Sequence, residues 1–349
     1  MTTLGSVVES GRWRSVLSWI SMVCILTAIG QSPTTRAVEP ERSYSLATAS
    51  TGGTYYPVGV AIATLTKIRL QPQKGISLSA VSSAGSAENI DQLATNQVQF
   101  AILQGLYGAW AWNGAGNIGQ RQTHLRSVSM LWQNVEHFII RTESAQTGNI
   151  EDIHNLYHRA FSLGKQQSGT EGSGHHILLS NGIDSKQLRL VSMGYGTSAS
   201  SLISGEIDGI NVPAGVPVAA VSEVFSSLGN SVRLLDFTDE QLARVNQPYQ
   251  LWQRYVIPIN TYPGQTRPVQ TISQPNFLAV RDDVDEQAVY EITRTLYENM
   301  SFLHGIHPAT KDMALDKAVE GLPMPLHPGA ARFYREQGIL IPPHLLPGT

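Results

Sequence analysis

From Ser43 onward the chain repeats one pattern: a short apolar run, a polar stretch rich in Gly and Ser, then a segment with apolar residues at helical spacing. The apolar runs at 43–49, 76–81 and 100–103 read as strands. Loops at 50–54, 82–86 and 104–105 lead from them into predicted helices at 56–69, 86–96 and 107–113. A second series starts at Glu136-His137-Phe138-Ile139-Ile140-Arg141, a buried-type strand followed by the polar stretch 142–148. Strands are predicted next at 160–163, 188–192 and 207–212, with loops at 164–170, 193–197 and 213–215. Asn181-Gly182 and Gly205 end the helices between them, because these residues accept the left-handed conformation that closes a helix. Another apolar strand, 276–281, returns the chain to the first series, whose remainder is the helical C-terminal third.

This alternation predicts an α/β fold in which a parallel sheet covered by helices occurs twice. The expected organisation is one lobe from residues 38–140 and 271–349 and a second from 141–270, joined by two hinge-crossing strands. Ligands in open α/β sheets bind beyond the carboxyl ends of the strands. Every Gly/Ser loop in this chain lies at such an end, so the two polar rims describe a clamshell that closes on a ligand.

Residues 1–37 carry Arg12 and Arg14, an apolar run from Val16 to Ile29, and a polar stretch of small residues ending at Thr35-Arg36-Ala37. That order predicts a signal peptide, and the run is short for a membrane span. Cys24, the single cysteine, lies inside it, so a processed chain needs neither disulfides nor a thiol nucleophile. Cleavage after Ala37 removes three of the 24 basic residues and one of the 27 acidic ones, changing the net charge from −3 to −5. With 42% apolar and 15% charged residues, this is a globular composition with no basic run for nucleic acid.

The most informative loop is Ser50-Thr51-Gly52-Gly53-Thr54-Tyr55-Tyr56-Pro57. Its glycines allow close backbone approach, and the first N–H groups of the helix after it have no intrahelical partner, so an anion or polar oxygen is welcome there. In the second series, Ser168-Gly169-Thr170-Glu171 both caps a helix and offers N–H and hydroxyl groups. Ser82-Ser83-Ala84-Gly85-Ser86 has similar small polar residues at a strand end. Tyr55, Tyr56, Tyr195 and Tyr262 are candidate pocket walls. Gly114, Gly116 and Gly119 spell GxGxxG but follow Trp110-Ala111-Trp112-Asn113 rather than a strand, so they read as a loop and imply no nucleotide cofactor. His154 and His158 have no acidic partner at zinc-site spacing, no Ser sits in a GxSxG elbow, and neither a metal nor a catalytic residue is expected.

The chain resembles the TAXI family, the extracytoplasmic solute receptors associated with TRAP transporters. The resemblance rests on Gly53-Thr54-Tyr55-Tyr56-Pro57-Val58-Gly59, Gly85-Ser86-Ala87-Glu88-Asn89 and Ser168-Gly169-Thr170-Glu171. Further on come Gly205-Glu206-Ile207-Asp208, Ala214-Gly215-Val216-Pro217, Thr261-Tyr262-Pro263-Gly264, Pro325-Leu326-His327-Pro328-Gly329-Ala330 and Tyr334-Arg335-Glu336. It implies a type II-like periplasmic binding protein without enzyme activity or cofactor. Such a protein is a monomer that binds a small carboxylate between its lobes and delivers it to the membrane subunits of a TRAP permease. Carried over by position, Gly53, Thr54, Tyr55, Ser86 and Gln104 contact the ligand from the first lobe, and Ser168, Gly169, Thr170 and Pro213 from the second.

One departure bears on the cargo. Many family members have Gln-Ser-Asp after the third strand, whereas this chain has Gln104-Gly105-Leu106. Absence of that Asp favours a ligand without an ammonium group, a dicarboxylate or keto acid rather than glutamate. Two other readings of the same loops stay open: a receptor that signals to a membrane sensor, and a secreted hydrolase with a loop serine as nucleophile.

Overall fold

The computed structural model describes residues 41–348, and the leader predicted at 1–37 lies outside the described residues. The first series folds as β1 (Arg42–Ala47), α1 (Tyr55–Lys74), β2 (Ile76–Val81), α2 (Ser86–Ala94), β3 (Phe100–Gln104), α3 (Gly105–Asn113) and β4 (Leu125–Val135). The second comprises β5 (Phe138–Arg141), β6 (Ala160–Ser162), α4 (Gly169–Ser180), β7 (Arg189–Val191), α5 (Tyr195–Ser204), β8 (Gly209–Asn211), α6 (Ala219–Leu228) and β9 (Val232–Leu234). The chain continues through α7 (Asp239–Val245), β10 (Gln253–Ile257), β11 (Val269–Arg281), α8 (Glu286–Glu298), α9 (Met300–His304) and α10 (Pro328–Glu336).

Two sheets result. In the first, β1 lies between β2 and β3, parallel to both, and β3 pairs antiparallel with β11. Strand β11 also pairs antiparallel with β10 through 269–273 and with β4 through 273–281. The second sheet runs β7-β6-β8-β5-β9, parallel around β6 and antiparallel on both sides of β5. The architecture is therefore the expected two-lobed α/β fold, with a correction to the sheets. They are mixed, because the strands that carry the chain between lobes enter antiparallel.

Burial explains why the strands are continuous apolar runs. Side chains alternate faces along a strand, and β5 is covered on both. Phe138 packs with Phe161 and Phe237 on one side, while Ile139 sits with Ile210 and Leu234 on the other. In the first lobe Leu46, Ile76, Phe100 and Ile102 are all fully buried, with Ile62 of α1 packed among them. Strands β4, β9, β10 and the first half of β11 were not expected from the sequence. Polar positions break up β4, and their partners are remote. Ser127 Oγ donates to the Met324 carbonyl at 3.0 Å, and Ser129 Oγ lies 2.6 Å from the Tyr297 hydroxyl.

The helical C-terminal part closes the first lobe by packing α10 on α8, with backbone close enough that only glycine fits. A methyl group on Gly329 would stand 2.2 Å from the Glu286 carbonyl oxygen and 2.8 Å from the Tyr290 amide nitrogen. Gly329→Ala is expected to lower unfolding stability in urea by about 1–3 kcal/mol, the usual cost of overpacking. Gly196→Ala in α5, where nothing lies within 4 Å, is the control and should hold or slightly raise stability. Equal stabilities for the two variants would refute this packing.

Candidate functional site

One cleft opens between the sheets, with about 490 Å³ of empty space counting its open side. The nine residues expected to meet at a ligand, Gly53, Thr54, Tyr55, Ser86, Gln104, Ser168, Gly169, Thr170 and Pro213, all line it. So do Asn134, Lys165, Gly194 and Tyr195. Of the four candidate tyrosines, Tyr55 and Tyr195 stand in the wall. Tyr56 and Tyr262 are not among the lining residues.

The topology makes this convergence unavoidable. Five helices begin at the cleft: α1 after Thr54, α2 after Gly85, α3 after Gln104, α4 after Ser168 and α5 after Gly194. All five of these N-cap residues are in the lining. Only Ser168 caps its own helix, accepting from the Glu171 amide at 3.1 Å. The other four make no side-chain cap bond. First-turn N–H groups and the positive ends of the helix dipoles therefore face the cleft. Gly85 has φ 135°, a conformation that favours glycine, and a side chain there would press on the Gly169 amide nitrogen at 3.3 Å.

The lobes meet directly at this rim. The Glu88 amide donates to the Gln167 carbonyl at 3.2 Å, the Tyr107 hydroxyl to the Ser168 carbonyl at 3.3 Å, and the Gly215 amide to Thr54 Oγ1 at 3.2 Å. Tyr195 donates to the Pro213 carbonyl at 2.8 Å, so the Thr170 hydroxyl, 2.6 Å away, spends its hydrogen on Tyr195. Thr170 Oγ1 is thus an acceptor toward the cleft, while the helix N–H groups are the donors. Burial raises the Tyr55 and Tyr195 hydroxyls well above the ordinary phenol value, so both stay neutral. Among the described residues, the lining contains one charged side chain, Lys165, and no carboxylate or histidine.

Beneath the cleft lies the hinge, where the two crossing segments expected from the sequence meet side by side. The Glu136 amide donates to the Ile272 carbonyl at 3.0 Å, and Thr271 Oγ1 donates to the Glu136 carbonyl at 2.7 Å, tying the two crossing segments together. His137 is fully buried, its Nδ1 2.9 Å from both the Val135 and Val212 carbonyls. Two acceptors at Nδ1 require that nitrogen to carry the proton, so Nε2 accepts from the Tyr262 hydroxyl at 2.7 Å. Tyr262 therefore belongs to the hinge. Glu136 Oε2 accepts from Asn211 Nδ2 at 3.0 Å.

The chain belongs to the two-lobed α/β class whose cleft lies at the strand ends between two sheets. It is a member of the NMT1-like family, whose model matches residues 46–338. It is similar in structure to the alkanesulfonate-binding protein SsuA from Xanthomonas axonopodis pv. citri, with 12% identity over 86% of this chain and 92% of that one and a TM-score of 0.45. A binding protein component of an ABC phosphonate transporter from Pseudomonas aeruginosa is 11% identical over 78% of this chain and 80% of that one, with a TM-score of 0.49. The periplasmic binding protein BugD is 13% identical over 86% and 95%, also with a TM-score of 0.49.

The hinge pair gives opposite pH signatures. Burial raises the Glu136 carboxyl from its ordinary 4.5 to about 7, so its contribution to stability is complete below pH 4.5 and lost as pH rises through about 7. Burial lowers His137 from 6.5 to about 4, so its contribution is complete above pH 6.5 and lost as pH falls through about 4. Over their shared window the two slopes cancel. Glu136→Gln should unmask the histidine, and its stability relative to wild type should climb by roughly 3 kcal/mol between pH 4.5 and 8. Urea unfolding across that range is the check, and parallel curves for the two proteins would contradict it.

Proposed function

We propose that this chain is a periplasmic solute-binding receptor that captures a small organic acid in the cleft and delivers it to the membrane subunits of a TRAP-type permease. Residues 38–140 with 271–349 act as one jaw and 141–270 as the other. The observation that carries this reading is the convergence of five helix N-termini on a cleft without a carboxylate. Each terminus favours an anion by about 0.3–1 kcal/mol, and more when shielded from water. Lys165 at the exposed edge adds the one full positive charge in the lining. Ligand contacts are assigned to Gly53, Thr54, Tyr55, Ser86, Gln104, Ser168, Gly169, Thr170 and Pro213. With no histidine or carboxylate in the lining to activate Ser86 or Ser168, the arrangement favours binding over turnover.

Gly105 and Leu106 bear on which acid is bound. Leu106 is fully buried in the first-lobe core, and its amide donates to Gln274 Oε1 at 2.8 Å. The turn that carries an Asp in many TAXI receptors thus supplies no counter-charge for an ammonium. A thermal-shift screen on the processed protein is expected to show stabilisation by small acids, about 2.7 kcal/mol at a hundred times Kd. Calorimetry should then rank dicarboxylic and keto acids ahead of glutamate and glutamine. Gly169→Ala, whose methyl group would stand 2.7 Å from Gln104 Oε1 and 2.9 Å from Ser86 Oγ, should abolish the shift. No response to any acid would sink the receptor reading, and tighter glutamate would sink the cargo assignment alone.

A further inference from the structure

The floor of the cleft holds polar groups whose hydrogen-bonding capacity is unspent. Gln104 on β3 pairs with Asn276 on β11, Asn276 pairs with Trp132 on β4, and Gln274 pairs with Asn134. Paired residues share a sheet face, as do residues two apart on a strand, so these five side chains form one stripe. Tyr55 stands on it, its ring edge-on to Trp132 and its hydroxyl donating to Asn276 Oδ1 at 2.5 Å. Gln104 is 3% exposed and Asn134 1%. Both line the cleft, yet Gln104 Oε1 and both amide atoms of Asn134 have no partner. The neighbouring Asn276 Nδ2 is also unpartnered.

Leaving such groups unpaired in a low-dielectric site is expensive, so the favoured ligand is the one that satisfies them. A methylene satisfies neither donor nor acceptor. A carbonyl or a second carboxylate only accepts, leaving the amide oxygens without a donor. An ammonium only donates, and it would sit among five positive helix ends with no carboxylate in the lining. A hydroxyl does both, and rotating the Asn134 amide still leaves one donor and one acceptor in place. We infer that Gln104 and Asn134 form a neutral donor–acceptor floor that selects a hydroxy acid over the deoxy, keto and amino acids of the same skeleton. This rests on the acid-receptor reading and names its substrate class.

The test is calorimetry on the processed protein with two matched sets: 2-hydroxyglutarate, glutarate, 2-oxoglutarate and glutamate, then lactate, propionate, pyruvate and alanine. In whichever skeleton binds, the hydroxy acid is expected to bind about 10- to 100-fold tighter than its three analogues. Asn134→Leu, close in volume but without the amide, should reduce that ratio to about threefold or less. Equal binding of hydroxy and deoxy acids by wild type overturns the selective floor and leaves the acid receptor standing. A hydroxyl preference that survives in Asn134→Leu overturns the role of Asn134. Should that variant fail to fold, the wild-type ranking decides by itself. If neither skeleton binds, the same four-way comparison is made on the skeleton that the thermal-shift screen identifies, and stabilisation by no acid at all overturns both readings.

Discussion

Strand β11 imposes the constraint on which everything else rests. Its thirteen residues pair with β10, β3 and β4, so one strand fixes the register of the first sheet and one of the two chain crossings. Thr271, Ser273, Gln274 and Asn276 within it are completely buried. A buried strand carrying so many polar side chains is stable only where they find partners, and two of them find partners at the cleft wall. Gln274 accepts from the Leu106 amide at the start of α3, and Asn276 accepts from the Tyr55 hydroxyl at the start of α1. The same strand thereby holds two of the five helix ends at the angle that points them into the cleft.

Hinge and cleft are consequently one piece of structure. The Val135 and Ala214 backbones pair at 2.9 and 3.1 Å, and Pro213, just before Ala214, lines the cleft while accepting from Tyr195. Gly215, just after it, packs against Trp132 and donates to Thr54. Solvent-excluded polar contacts of this kind are worth more than their surface equivalents, and they suit a two-position device better than a continuously deformable one.

The motif positions divide between two physical roles that look alike in the sequence. Gly53-Thr54-Tyr55, Gly85-Ser86 and Ser168-Gly169-Thr170 face the cleft. Gly215, Tyr262 and Gly329 are hinge or packing positions where a contact or a missing side chain matters, while Ala214 both pairs with Val135 and lines the cleft. Gly114, Gly116 and Gly119 fall in a loop with positive φ at each, in keeping with their lack of a preceding strand.

The sequence alone determined the local units. Apolar runs, Gly and Ser at strand ends and helix-closing residues depend on a few neighbouring positions, and they placed most strands of both series and the loops at their ends, while the candidate site residues in those loops were assigned by the family resemblance. The tertiary structure decided what depends on remote partners. Strand β4 was hidden because Ser127, Ser129 and Asn134 look like loop residues until Met324, Tyr297 and β11 lie beside them. Asn134 entered the cleft, and Tyr262 left it for His137, for the same reason. A polar side chain buried by the fold is read correctly only once its partner, here often more than a hundred residues away, is known.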